Sequence, residues 1–217
     1  MFYRLAPNLV VRSRWRLHRP RPGERVLVLA GGSVFPPGHP TTRLCLEMLT
    51  ETLTAAPGTR LLDVGCGSGV LLLAGVAAGA GLGVGVDFSE PAVVTTRDNA
   101  RANGLAVQVE VVRGSTEALL GPFDLVVGNL PWAVQMEKVD EFTRLAASNT
   151  RLILSGFKDT QEEELRARYE AAGWSRRRRL TRDEWVIEVP PELSYTWVAW
   201  LLTRGQGSGI RGQVSES

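Results

Sequence analysis

From residue 60 onward, short apolar runs alternate with longer stretches whose apolar positions recur at helical spacing. The runs at 60–64, 83–87, 107–112, 123–128 and 152–155 predict strands. The stretches at 71–78, 90–103, 137–147 and 160–172 predict helices between them. Gly104 and Gly173 stand where a helix C-terminus favours glycine. Strand-like runs at 185–189 and 195–202 flank a Pro190-Pro191 turn. The expected fold class is α/β: a doubly wound, mostly parallel seven-stranded sheet with an antiparallel C-terminal edge.

The first 59 residues have a different rhythm. Residues 9–16 have partial strand character, Val26–Leu29 is a short apolar run, and three prolines and a glycine make Val34–Pro40 a loop. Thr41-Thr42 then caps a helix carrying Leu44, Leu46, Met48, Leu49 and Leu53, which ends near Pro57-Gly58. The expected organisation is a basic extension and lid loop at 1–40, a main domain at 41–204, and a Gly/Ser/Gln-rich, disordered tail at 205–217.

Composition narrows the function classes. With 44% hydrophobic residues, 217 positions can bury one full core. No apolar run reaches the ~20 residues of a membrane span, and Met1-Phe2-Tyr3-Arg4 opens no signal peptide, so a cytoplasmic location is expected. Cys45 and Cys66 have no CxxC spacing, and His18 and His39 are the only histidines. Neither a disulfide framework nor a metal site is expected. Net charge is only +2, yet the cations are almost all arginine; Lys138 and Lys158 are the only lysines.

Three segments carry candidate chemistry. Asp63-Val64-Gly65-Cys66-Gly67-Ser68-Gly69 joins an apolar strand to an apolar helix, where glycines let the backbone turn sharply and approach a ligand closely. A dinucleotide fingerprint, GxGxxG, needs a third glycine at position 70, which is Val70. The alternate spacing suits a ligand without a pyrophosphate; a tight turn binding nothing is the alternative. Asp87 ends the next strand, where an acid accepts hydrogen bonds from ribose hydroxyls, although alone it also suits a helix cap. Asn129-Leu130-Pro131-Trp132 follows the strand at 123–128, at the strand end that faces the ligand crevice. Asn129 offers a donor and an acceptor, Pro131 stiffens the loop, and Trp132 supplies either a flat wall or a core side chain.

Over nearly all of residues 26–204 the sequence resembles the class I (Rossmann-like) S-adenosylmethionine-dependent methyltransferases. More narrowly it resembles the PrmA family, which methylates amino groups of the ribosomal protein L-eleven. The match runs through His39-Pro40-Thr41-Thr42-Arg43-Leu44-Cys45-Leu46, the glycine loop, Gly85-Val86-Asp87 and Ser89-Glu90-Pro91-Ala92-Val93. It continues at Arg97-Asp98-Asn99-Ala100-Arg101-Ala102-Asn103-Gly104, Leu152-Ile153-Leu154-Ser155-Gly156, Tyr169–Gly173 and Glu184-Trp185. The resemblance implies S-adenosylmethionine as cofactor, contacts to it from Thr42, Gly65, Asp87 and Asn129, and a ribosomal-protein amine as acceptor. With the loop positions, the candidate cofactor residues are Thr42, Asp63, Gly65, Gly67, Gly69, Asp87 and Asn129. Asn129, Pro131 and Trp132 are the candidate catalytic group.

The sequence departs from that family in three places. Only about 40 residues precede the capped helix, where the family carries a domain that recognises the ribosomal protein. Phe35-Pro36-Pro37-Gly38 replaces a glycine-rich lid, implying a stiffer one. Asn129-Leu130-Pro131-Trp132 is similar instead to the NLPY or NPPY motif of enzymes that methylate planar nitrogens in nucleic-acid bases or glutamine. A base or glutamine methyltransferase is therefore the second reading. A small-molecule methyltransferase or a non-catalytic cofactor-binding protein is the third.

Two basic segments are left. Arg4, Arg12, Arg14, Arg16, Arg19, Arg21 and Arg25 crowd the N-terminus, and Arg176-Arg177-Arg178-Arg179 form a run with Glu162, Glu163, Glu164 and Glu170 nearby in sequence. Such clusters bind phosphate through charge-assisted bonds or are merely solvated faces, so RNA is a possible partner.

Overall fold

A computed structural model describes residues 2–6, 8–30, 38–184 and 194–204. The Phe35–Pro37 part of the expected lid, the run at 185–189 and the tail at 205–217 lie outside the described residues.

The main sheet has seven strands in the order β6-β5-β4-β7-β8-β10-β9. Its centre is β4 (Arg60–Val64), flanked by β5 (Leu82–Asp87) and β7 (Phe123–Asn129), with β6 (Val109–Arg113) beyond β5 and β8 (Ala146–Lys158) beyond β7. These five are parallel; β10 (Thr196–Arg204) pairs antiparallel with β8 and with β9 (Trp174–Asp183). Helices α1 (Pro40–Ala55), α2 (Val70–Ala78), α3 (Glu90–Ala102), α4 (Trp132–Glu137), α5 (Val139–Arg144) and α6 (Glu162–Ala171) supply the remaining elements.

Asp63 apart, the interiors of the central strands are apolar because both faces are covered. Side chains alternate between two clusters: Leu61, Leu125, Val127 and Ile153 join α1 and α2, whereas Leu62, Val126, Leu152 and Leu154 join α5 and α6. A small second sheet of β1 (Phe2–Ala6), β2 (Leu9–Ser13) and β3 (Arg25–Leu29) packs Leu9, Val11, Leu27 and Leu29 onto the first cluster. Asn103 fastens it there: its amide accepts from Val28 N at 2.7 Å and donates to Val28 O at 2.8 Å.

Three expectations need correction. The helix expected at 137–147 is two short helices, and its last residues, Ala146 and Ala147, already belong to the 13-residue strand β8. The last helix starts at Glu162 after a 3-10 turn at Asp159–Gln161, not at Thr160. The partner of the last strand is the arginine run itself, within β9. Charge concealed that strand, because period-2 apolar alternation is weak where arginines cover both faces of a sheet edge. A bulge opposite Leu201/Leu202 leaves Arg178 near Glu47 (3.7 Å) and paired with Glu51. Arg179 and Arg176 meet Glu162 on the other side at 2.6 and 3.4 Å. Three of the four arginines at 176–179 thus meet carboxylates, and Arg177 donates to Thr203 Oγ1 at 2.7 Å.

Candidate active site

The parallel strands β4, β5 and β7 end side by side, and the loops that follow them enclose one crevice. Gly65, Gly67 and Gly69 all have positive φ (71°, 56° and 78°), so the glycine loop requires a backbone conformation that residues with a Cβ rarely adopt. Four side chains hold that shape. Asp63, wholly buried, accepts from Leu72 N at 3.0 Å and so caps the first turn of α2. Asp87 accepts from Gly67 N and Ser89 N, both at 2.9 Å, tying the loop to the start of α3. From α3, Thr96 donates to Gly67 O (2.8 Å) and Asn99 to Ser68 O (2.9 Å). The other end of the Asn99 amide accepts from Ala30 N at 2.8 Å.

Burial pushes the Asp63 carboxyl up to about 7; the Leu72 N–H opposes this and the Asp87 charge adds to it. A cation arriving beside Asp63 would return it to the charged form. Across the crevice, Asn129 Nδ2 donates to Thr42 Oγ1 at 3.3 Å, joining the end of β7 to the first turn of α1. His39 precedes that turn and accepts from Thr41 N through Nδ1 at 3.3 Å. Its ring meets Trp197 edge-on at 4.9 Å, and burial lowers its pKa against the pull of Glu184, 3.6 Å away.

The crevice has two compartments that share Gly65. One, with about 350 Å³ of open space, is lined by Thr42, Asp63, Gly67 and Asn129 among others. The other, with about 610 Å³, is more apolar and is lined by Val86, Asp87, Phe88, Ser115, Thr116 and Leu130. Phe88 is 71% exposed there, presenting a flat ring beside the Asp87 carboxylate. A compartment carrying Thr42, Asp63 and Asn129, joined at a glycine to a more apolar one with a carboxylate at its edge, fits a ligand with an amino-acid end, a ribose and a flat base. S-adenosylmethionine has those three parts, and the residues present fit it.

The structure brings Thr42, Asp63, Gly65, Gly67 and Asn129 to one compartment and Asp87 to the other. Gly69 lines neither; it is the N-cap of α2, where a Cβ would come within 2.7 Å of Thr96 Cγ2. Pro131 is the exposed N-cap of α4. Trp132, half-buried, lines neither compartment and packs on the cluster under α5, with its Nε1 buried and unpartnered.

The 129–132 segment is held from below. Gln135, fully buried, donates to Leu130 O at 2.6 Å and to Ser155 O at 2.9 Å, and Leu130 N donates to the same Ser155 O at 3.0 Å. Beside it β8 bulges at Gly156 (φ 102°), where a Cβ would collide with the Leu130 carbonyl. Sequence reasoning missed Gln135, Phe88, Thr96 and the structural task of Asn99. Asn99 in α3 and Asn103 at its C-cap, four apart, were a signal for the last: both reach toward the N-terminal segment.

The family model described as ribosomal protein L11 methyltransferase (PrmA) matches residues 3–189. The chain belongs to the PrmA family. Among curated members, the ribosomal protein L11 methyltransferase of Syntrophotalea carbinolica is 38% identical over 184 residues, 84% of this chain and 60% of that protein. That of Desulfosudis oleivorans is 36% identical over 195 residues, 86% of this chain and 63% of its own length. The chain thus spans about three fifths of the length of these PrmA relatives. A crystal structure of the ribosomal protein L11 methylase from Lactobacillus delbrueckii subsp. bulgaricus shares the fold with a TM-score of 0.80 at 19% identity, covering 94% of this chain and 97% of that one. The magnesium protoporphyrin IX methyltransferase of Synechocystis, solved with bound SAM, superimposes with a TM-score of 0.59 at 22% identity, covering 76% and 82%. The sheet is therefore the class I methyltransferase sheet.

Proposed function

We propose that this PrmA-family chain is an S-adenosylmethionine-dependent methyltransferase whose acceptor is an amino nitrogen of a ribosomal protein. The observation that carries the reading is the divided crevice at Gly65, with Asp87 on one side and the Thr42–Asn129 pair on the other. The cofactor would supply an electrophilic methyl on a sulfonium. Asp87 would hold ribose hydroxyls with the carboxylate lone pairs left after Gly67 N and Ser89 N. Asp63 and Thr42 would receive the amino-acid end. Asn129, at the end of β7, would orient the incoming neutral amine through its carbonyl oxygen, since its amide already donates to Thr42. Alignment and exclusion of water then carry the rate.

Incubating the chain with labelled S-adenosylmethionine and separated ribosomal proteins and ribosomal RNA tests this. Label on a protein amine is expected; label on RNA alone, or on no macromolecule, overturns it. The reading as a base or glutamine methyltransferase has less support: its clamp needs a free aromatic face, and Trp132 packs on the cluster under α5.

A further inference from the structure

Away from the crevice, the connection between β2 and β3 is the most unusual surface of the described chain. Trp15 is 84% exposed and Leu17 is 98% exposed, and Arg14, Arg16, Arg19 and Arg21 are exposed around them. The connection is also built to a shape. At its base the Arg12 guanidinium donates to the carbonyls of Ser13 (3.1 Å) and Arg16 (2.8 Å), curling the chain beneath Trp15. At its far end Glu24 accepts from Arg21 N at 3.1 Å and pairs with His18 and Arg4, both at 2.6 Å. The one acid of the segment is thereby consumed, and among the described residues no carboxylate pairs with any of the four exposed guanidinium groups. This contrasts with the run at 176–179, where Glu47, Glu51 and Glu162 answer the arginines. Arg14 lies 5.2 Å from the Trp15 ring centroid, over one of its faces.

We propose that the turn at residues 14–21 is a docking arm for single-stranded RNA, its arginines gripping phosphates and Trp15 stacking on an unpaired base. Four arginines and no lysine suit bidentate phosphate contacts. A nearly free indole adds the stacking surface that unpaired bases use and duplexes cannot. A lipid surface fits less well, because two apolar side chains bury little area in a bilayer. The arm is remote in sequence from the crevice residues and requires nothing of the acceptor's identity.

Fluorescence anisotropy with the full chain and a labelled, unstructured RNA of roughly 12 nucleotides tests this, on the scale of one to three binding sites. Trp15→Ala is expected to weaken binding about 10-fold, within the range for one lost stack. Replacing Arg14, Arg16, Arg19 and Arg21 together by Gln should make log K nearly 3 less steep in log salt, about 0.7 per phosphate contact. S-adenosylhomocysteine affinity should stay unchanged in both variants, which shows that they fold. RNA binding that is equal in wild type and Trp15→Ala overturns the proposal. So does preference for duplex RNA, or tighter binding to phosphatidylglycerol vesicles than to RNA.

Discussion

Two loops meet at Gly65, and they are kept in place by opposite means. The glycine loop at 63–69 carries its own geometry in three residues at positive φ; side chains of Asp87, Thr96 and Asn99 bond to its backbone, and its own Asp63 accepts from Leu72 N in α2. The 129–132 segment has no such internal device. It rests on Gln135, on the Ser155 carbonyl and on the gap left by Gly156, all supplied from elsewhere in the chain. The two loops touch where a Cβ on Gly65 would lie 2.6 Å from Leu130 Cδ2. The backbone shape of the first loop is written in its own glycines. The second segment takes its aim from the packing beneath it.

Four measurements break or sharpen that contrast. The largest effect is expected from Gly156→Ala, which combines a strained φ with a collision against backbone that cannot rotate away. We expect a loss of about 2–4 kcal/mol in chemical denaturation. A loss below that of Gly65→Ala, where only the end of the Leu130 side chain is in the way, would show the foundation to be pliable. Gln135→Ala should cost about 2–3 kcal/mol by leaving two carbonyls with fewer donors and a cavity beside them. It should also lower kcat more than it weakens cofactor binding, and equal losses in the two would detach Gln135 from acceptor positioning. Asp87→Ala should weaken S-adenosylhomocysteine binding by about 1–3 kcal/mol, read by calorimetry, through loss of charged hydrogen bonds. Unchanged affinity would remove Asp87 from the site. The smallest effect concerns pH. Asp63, with its pKa near 7 in the cofactor-free fold, is protonated below that value and charged above it. The ammonium of the amino-acid end that Asp63 is proposed to receive favours the charged form, so affinity for S-adenosylmethionine should fall as pH drops from 7.5 to 6, by about 1 kcal/mol or less. Asp63→Asn should flatten that dependence; an unaltered slope would assign it to another group.

The contrast also explains what could be read from residues alone. Positive φ leaves a direct trace in sequence as glycine, so the loop, its non-dinucleotide spacing and Asp87 were visible. Buried parallel strands were visible for the same local reason: Leu61-Leu62 and Leu125–Val127 are apolar on both faces. Gln135 left no trace, since a polar residue inside a short helix reads as solvated until Leu130 and Ser155 are seen to converge on it. Likewise β9 looked like charged surface, because its strand state is decided by pairing with β10 rather than by its own pattern. Phe88 became noticeable only through its exposure beside Asp87.

One planar group links the two sheets in a way that outlasts these details. The Asn99 amide grips Ser68 O in the glycine loop with its nitrogen and Ala30 N, just past β3, with its oxygen. Those two atoms belong to one rigid triangle and cannot drift independently. The N-terminal strands and the glycine loop are thereby joined by a link that does not run through the main sheet. Amide exchange at Ala30 and at the glycine loop should accordingly slow together when the cradle is filled.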